Sequence, residues 1–248
     1  MVRIFDDAQE GFNQFEAVFK TKLLQIHPTK SCYLLFGNNK MKNRIQREIS
    51  DRPLTYDKST VWGKSKEKWL GVILSGGGLE RSVEATIDSR YGRIFAAIFE
   101  LKAVIEDLRM QIMGGIKCGQ DIWEMAIIPS LLNNASTWTH ISNQSIDKLN
   151  SLQTLFAVSR SCPKPALCWG TATPLMKVRI DKAKVSLLHH VKNLDNDSLA
   201  KQIYEEQCHS GWPGLMMECK EIIDDWELPD IINQEHKLSK GQWKVIIN

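Results

Sequence analysis

The chain has 248 residues, of which 43% are hydrophobic and 25% charged, and its formal net charge is +3. This composition is typical of a folded globular protein and excludes disordered and collagen-like chains. The first residues lack a cationic segment followed by a long apolar run, and no window approaches about eighteen uninterrupted apolar residues. We therefore expect an intracellular protein without a membrane partner, and the choice between cytoplasm and nucleus stays open.

The cysteines give no indication of a metal site. Six are spread along the chain, none as a C-x-x-C pair. The spacing of Cys162 and Cys168, and that of Cys208-His209 with Cys219, differs from zinc fingers and ribbons. We expect reduced thiols, no resident metal and no cofactor.

The first segment contains two adjacent aspartates, Asp6 and Asp7. Paired carboxylates can hold a divalent cation, but they can also cap a helix and complement its dipole. Phe12, Phe15, Phe19 and Leu23 recur at helical spacing directly after them. We predict a strand or its remnant over 1–5, with the aspartates at the start of a helix rather than as metal ligands.

A basic stretch follows the first predicted strand, 31–36. Between Asn38 and Lys68 lie nine basic and four acidic residues, which suits either a phosphate contact or a solvated surface. Residues 68–74 (KWLGVIL) are predicted to form a second buried strand, and 75–78 (SGGG) a turn.

Helical periodicity dominates from about residue 80. Val83, Ile87, Tyr91, Ile94, Ile98, Leu101, Ile105 and Leu108 form a near-heptad stripe that predicts one long helix. Glycines 114 and 115 are predicted to be a hinge. The next apolar helix contains Trp123, Ile127, Leu131 and Leu132, and Pro129 should kink it.

The remaining helices are predicted from the same spacing. They cover 143–158, 175–194 with Val178, Val185, Leu188 and Val191 inward, a segment through Tyr204, and a last segment ending near Trp226. Loops are expected at 163–174 and at the GWPG turn of 211–214, and residues 229–248 should fray.

In this order the motifs resemble the part of a non-LTR retrotransposon reverse transcriptase that follows its catalytic Asp-Asp motif. The resemblance is carried by IHPTKSCYLLFG, the basic insert, KWLGVILSGGG, the long helix beginning SVEATIDSRYG, and IWEMAIIPSLLNNASTW. It covers residues 1 to about 160. It implies a partial palm with a primer-grip-like hairpin over 1–79, a helical thumb-like domain over 80–228 and a tail over 229–248. The expected fold is α+β, predominantly α.

The resemblance also implies the candidate nucleic-acid contacts. Lys30 matches a lysine near the nucleotide site, although His27 stands where the family has asparagine. Without the metal ions, the alternative is that Lys30 is only a surface cation. Trp69, Leu70 and Gly71 match the primer-grip hairpin, for which an ordinary strand turn is the compatible alternative. Arg81, Arg90 and Arg93 would line a phosphate-facing groove or a solvated helix face.

No catalytic residue is assigned. The resemblance places the catalytic aspartates upstream of residue 1, so we expect a truncated relic or an internal start, inactive in primer extension. Magnesium would belong only to the full-length parent enzyme. We expect weak binding to RNA or an RNA–DNA hybrid. The alternative is a helical protein-interaction module without a nucleic-acid role, with self-association through residues 83–108.

Overall fold

The computed structural model describes residues 4–22, 27, 30–51, 54–56, 59–111, 120–156, 173–210 and 214–228. Within these residues the chain is mostly helical, and its few short strands lie between 32 and 75. The prediction of a predominantly helical α+β protein is confirmed at this level. The chain divides into two compact units, Met1–Ala85 and Thr86–Asn248, which are described separately.

The described part of the first unit contains two helices, six short strands and the beginning of a third helix. In chain order these are α1 (Ile4–Thr21), β1 (Cys32–Leu34), α2 (Asn39–Asp51), β2 (Thr55–Tyr56), β3 (Ser59–Thr60), β4 (Trp62–Lys64), β5 (Lys66–Trp69), β6 (Val72–Ser75) and α3 (Leu79–Gln111). β1 pairs with β4 in parallel, whereas β2 with β3 and β5 with β6 form antiparallel pairs.

Two sequence predictions for this unit are wrong. Helix α1 begins at Ile4, so Ile4 and Phe5 are helical rather than part of a strand. Residues 68–74 form no single buried strand, because the chain reverses at Leu70 and Gly71 between β5 and β6. Both turn residues have positive φ, which an extended strand does not contain.

The core of the first unit is small. Leu54, Tyr56 and Val61 are buried together, and Phe12 of α1 packs against them, with its ring nearly perpendicular to that of Tyr56 at a centroid distance of 6.1 Å. Phe19 is half-buried, as its position in the predicted stripe requires, but Phe15 is 56% exposed. Leu23 lies outside the described residues.

The second unit continues α3 and adds further helical elements. They are a π-helical turn (Trp123–Ile127), α4 (Ile128–Leu131), a 3₁₀ turn (Ala135–Thr137), α5 (Asn143–Phe156), α6 (Met176–Lys192), α7 (Leu199–Ser210) and α8 (Leu215–Asp225). The π-helical turn directly precedes Pro129, whose missing N–H and ring disturb regular helical bonding there. The structure thus has a change from π-helix to α-helix next to Pro129, and the predicted kink stays a prediction.

The predicted stripe of α3 is confirmed where its side chains are described. Val83, Ile87, Ile94 and Ile98 are buried, and Tyr91 and Leu101 are half-buried. The side chains of Ile105 and Leu108, the predicted hinge at 114–115, most of the predicted loop at 163–174 and the tail lie outside the described residues.

The packing of α6 corrects one prediction. Val185 and Leu188 are buried with Cys219, Ile222 and Ile223 of α8. Val178, predicted to point inward, is 39% exposed. It lies two residues from both Met176 and Ile180, which are buried, and two residues correspond to about 200° of rotation around a helix.

Candidate nucleic-acid interface

The β5–β6 hairpin presents its apolar tip to solvent. Trp69 pairs with Val72 at the end of the ladder, and Leu70 and Gly71 form a two-residue loop with φ of 47° and 83°. Two positive φ values are those of a type I′ turn, the geometry that matches the twist of paired strands. Trp69 is 61% exposed and Leu70 72% exposed. An aromatic and an aliphatic side chain thus stand in water at one end of the hairpin.

The base of the hairpin is held within the first unit. The backbone N–H of Ser75, at the end of β6, donates to the hydroxyl of Ser82 at 2.8 Å, and that hydroxyl donates to the carbonyl of Gly78 at 2.7 Å. The ammonium group of Lys42 in α2 donates to the carbonyl of Gly76. These bonds fix one end of the hairpin while its tip stays exposed.

Lysines accompany the exposed tip. Lys66 and Lys68 are exposed and lie two residues apart on β5, so they share one face of the strand. Glu67 lies on the other face and forms an ion pair with Lys64. The hydrogen bond that the Lys64 ammonium donates lowers the pKa of Glu67. Burial, and then the charge of Glu67, raises the pKa of the Cys32 thiol. Glu67 and Trp69 therefore share the face of β5 that lies opposite the two lysines.

The basic stretch between Asn38 and Lys68 begins with helix α2. Ile45 and Ile49 bury one side of α2, whereas Lys40, Arg44 and Arg47 are exposed at spacings of four and three residues. That spacing places three cations on one helix face. The first unit therefore has two exposed groups of basic residues, one on α2 and one on β5.

Lys30, Arg81 and Arg93 are exposed, which both a phosphate contact and a solvated surface allow. The backbone N–H of Lys30 donates to the carbonyl of His27 at 3.0 Å. Arg81 packs its aliphatic part so closely on Gly77 that a Cβ at position 77 would overlap it. The Nε of Arg93 donates to the carbonyl of Ser89 at 3.3 Å.

Arg90 corrects the prediction of a phosphate-facing or solvated residue. Its side chain is buried, 4% exposed, and its guanidinium donates to the carbonyls of Leu131 and Asn133. It also lies 5.3 Å from the ring centroid of Trp138. Burial, and then the charge of Arg93, lowers the pKa of Arg90. The side chain is committed to the turn after α4 and is unavailable to a ligand.

The sequence contained a signal that Arg90 is buried, but the prediction did not use it. Arg90 falls three residues after Ile87 and four before Ile94, inside the apolar stripe, so a helical wheel places it on the buried face. Trp62 on β4 was also missed as a surface residue, although it is 70% exposed.

Asp6 and Asp7 lie in the first turn of α1, and Asp7 is exposed. Negative charge in that position stabilises the positive end of a helix. In the part of the chain that the structure describes, no three His, Cys, Asp or Glu side chains come together in a way that could hold a metal ion. No described helix is both long enough and apolar enough to cross a bilayer.

Comparison of the chain with protein-family models, with curated proteins and with solved structures found no match.

Proposed function

We propose that the chain is the post-catalytic part of a non-LTR retrotransposon-type reverse transcriptase and that it binds RNA or an RNA–DNA hybrid without sequence preference. The motif order of the sequence supports the family, and the hairpin carries the binding proposal. Trp69 and Leu70 are exposed at the hairpin tip, and Lys66 and Lys68 are exposed on the face of β5 opposite Trp69, so one hairpin offers both a stacking surface and phosphate-binding charges.

Each part of this surface has a defined role. Trp69 stacks on a base or on the edge of a sugar, an interaction worth roughly 1–3 kcal/mol for each base and independent of base identity. Lys66 and Lys68 contact phosphates and release condensed counterions. Gly71 has no side chain, so a strand of nucleic acid can approach the turn backbone closely. The proposal concerns binding and assigns no chemical step to the chain.

Fluorescence anisotropy with a labelled RNA–DNA hybrid, measured over a salt series, tests this role. Trp69→Ala should weaken binding by roughly 5- to 100-fold, the equivalent of one lost stacking contact. The double variant Lys66→Ala/Lys68→Ala should reduce the slope of log K against log salt by about 1.5 to 2.

Matched controls come from the second unit. The exposed fraction of Phe99, 57%, is similar to the 61% of Trp69. Lys220 is an exposed lysine of α8. Phe99→Ala and Lys220→Ala should leave both affinity and slope unchanged. Equal losses from hairpin and control variants, or binding without salt dependence, would refute the assignment of the interface to the hairpin.

A helical protein-interaction module is the second candidate, and one observation favours it. Tyr91, Phe95 and Phe99 follow each other at one-turn spacing on α3, with successive ring centroids 5.9 Å apart. Phe95 is 37% exposed, so an aromatic strip of α3 faces solvent. The predicted self-association through the stripe of 83–108 would need side chains that are buried here, such as Ile87 and Ile98. A partner would therefore bind the aromatic strip.

Salt dependence separates the two candidates, because phosphate contacts weaken steeply with salt and an aromatic interface does not. Sedimentation velocity of the wild type and of Phe95→Ser/Phe99→Ser tests association directly. A concentration-dependent dimer that this variant abolishes, together with no hybrid binding, would favour the interaction module.

A further inference from the structure

Helix α2 has its charges at the ends where the helix dipole disfavours them. Lys40 lies in the first turn, which contains no acidic residue, whereas Glu48 and Asp51 lie in the C-terminal part of the helix, whose last turn contains no basic residue. The dipole favours anions at the N-terminal end of a helix and cations at the C-terminal end. The charges of α2 have the reverse order, so they work against the stability of the helix.

A cap and buried isoleucines hold α2 in the first unit. The side-chain oxygen of Asn38 accepts the backbone N–H of Met41 at 2.8 Å, which satisfies one donor of the first turn. Ile45 and Ile49 are buried, 7% and 6% exposed. The apolar side of α2 therefore faces the protein.

Lys42 attaches α2 by the side opposite its exposed cations. Its ammonium group donates to the carbonyl of Gly76, directly after β6. Lys40 and Arg44 are each two residues from Lys42, a rotation of about 200° around the helix, and Arg47 lies about 20° from Lys40. Lys40, Arg44 and Arg47 are exposed and form one row about 10 Å long, which we call the basic ridge.

The backbone of a nucleic-acid duplex fits the basic ridge by charge. It presents closely spaced phosphates, and the positive end of the α2 dipole adds to the attraction at Lys40. A lipid surface fits less well, because helices that lie on membranes insert their apolar face, and Ile45 and Ile49 are buried in the protein. Charges that oppose local stability are typical of functional sites.

We propose that the basic ridge is a second phosphate-binding surface of the first unit and that it contacts the backbone of an RNA–DNA hybrid. This inference rests on the proposed function and adds to it a contact surface outside the hairpin. The ridge consists of cations alone, so it supplies salt-dependent affinity and reads no base. It shares no residue with the hairpin tip, and we expect the effects of the two surfaces on the binding constant to multiply.

Fluorescence anisotropy with the labelled RNA–DNA hybrid, over a salt series, tests the ridge in the full chain. Lys40→Gln/Arg44→Gln/Arg47→Gln should lower the slope of log K against log salt by about 2 to 3, and affinity near 0.1 M salt by roughly 10- to 100-fold. Addition of Trp69→Ala should multiply the two losses. The charge-conserving variant Lys40→Arg/Arg44→Lys/Arg47→Lys should keep the wild-type slope.

Single variants control for net charge. Lys40→Gln and Lys220→Gln each remove one exposed lysine, and Lys220 lies on α8 in the second unit. Lys40→Gln should lower the slope by about 0.7 to 0.9, whereas Lys220→Gln should leave it unchanged.

Hydrogen exchange of the amides in 39–51 gives a readout that does not depend on binding. Lys40→Glu should slow this exchange, because an anion in the first turn complements the dipole, and the same variant should weaken hybrid binding. Faster exchange in Lys40→Glu would contradict the charge conflict from which the ridge is inferred.

The outcomes distinguish this inference from the proposed function. A wild-type chain that does not bind the hybrid refutes both. Binding that is weakened by the hairpin variants but is the same in the triple glutamine variant and in Lys220→Gln overturns the ridge alone. Retention on phosphatidylserine vesicles that the triple variant abolishes, with hybrid binding intact, would assign α2 to a membrane surface and also overturn it.

Discussion

Arg90 shows how one charged side chain can hold a turn in place. Its guanidinium reaches two backbone carbonyls that follow a helix end, those of Leu131 and Asn133, and it lies over the ring of Trp138. A helix end leaves carbonyl groups without intrahelical partners, and burying them unbonded is costly. An arginine can serve both because its fork carries several donors in fixed geometry.

We predict that Arg90→Leu lowers the free energy of unfolding by about 2–4 kcal/mol, since two carbonyls lose their charged donor in a buried site. Urea unfolding followed by far-ultraviolet circular dichroism measures this. Arg93→Leu, three residues away and exposed, should change stability by about 0.5 kcal/mol or less. Equal effects from both variants would show that the carbonyl contacts of Arg90 do not contribute to the free energy of unfolding.

A second prediction at this scale concerns thiol reactivity. Cys219 is fully buried, and burial raises the pKa of its thiol to about 12. At pH 8 only about one Cys219 thiol in 10⁴ would then be the reactive thiolate. Cys208 is exposed. With iodoacetamide at pH 8, mass spectrometry should find Cys208 modified and Cys219 unmodified until urea is added. Modification of both at similar rates in native protein would contradict the packing of α6 on α8.

At the scale of the element, the hairpin stores backbone strain at Leu70. A non-glycine residue with φ of 47° costs about 1–2 kcal/mol relative to the right-handed region, and asparagine tolerates this conformation better than leucine. The leucine side chain is largely exposed and contributes little packing in return. Its presence at this position is consistent with a role at the hairpin tip.

Leu70→Asn should therefore stabilise the hairpin by roughly 0.5–1 kcal/mol while weakening hybrid binding. Hydrogen exchange of the amides in 66–75 measures the first effect, and anisotropy measures the second. Leu70→Val is the paired variant, because a β-branched residue fits positive φ poorly and should accelerate exchange. If both variants shift exchange in the same direction, strain at position 70 is not the cause.

At the scale of the whole molecule, the two units differ in what holds them together. The first unit has two-stranded sheets and a small buried cluster, and short sheets leave unpaired edges. The second unit buries large side chains such as Trp138, Leu149 and Met176 completely. Larger apolar burial gives greater resistance to local opening.

We predict that thermolysin cleaves the first unit before the helices of the second. Time-resolved mass spectrometry of the digest locates the cuts, and digestion of urea-unfolded chain corrects for the intrinsic preference of the protease. First cuts within 143–156 or 176–192 would contradict the prediction.

Local periodicity determined much of the architecture. Helix α1, the long helix α3 and the series of helices after residue 140 follow from apolar residues spaced three and four apart, a pattern that each segment carries by itself. Capping and dipole effects at a helix start are equally local. The helical class of the chain could therefore be predicted without knowing which segments meet.

Only the tertiary structure decided the roles of particular side chains. Whether Arg90 is solvated depends on the carbonyl of Leu131, 41 residues away, and whether Lys184 is paired depends on Glu218, 34 residues away. The reversal at Leu70 depends on β5 meeting β6, which hydrophobicity alone does not distinguish from one continuous strand. Such contacts are set by how the chain returns on itself, and no single segment encodes them.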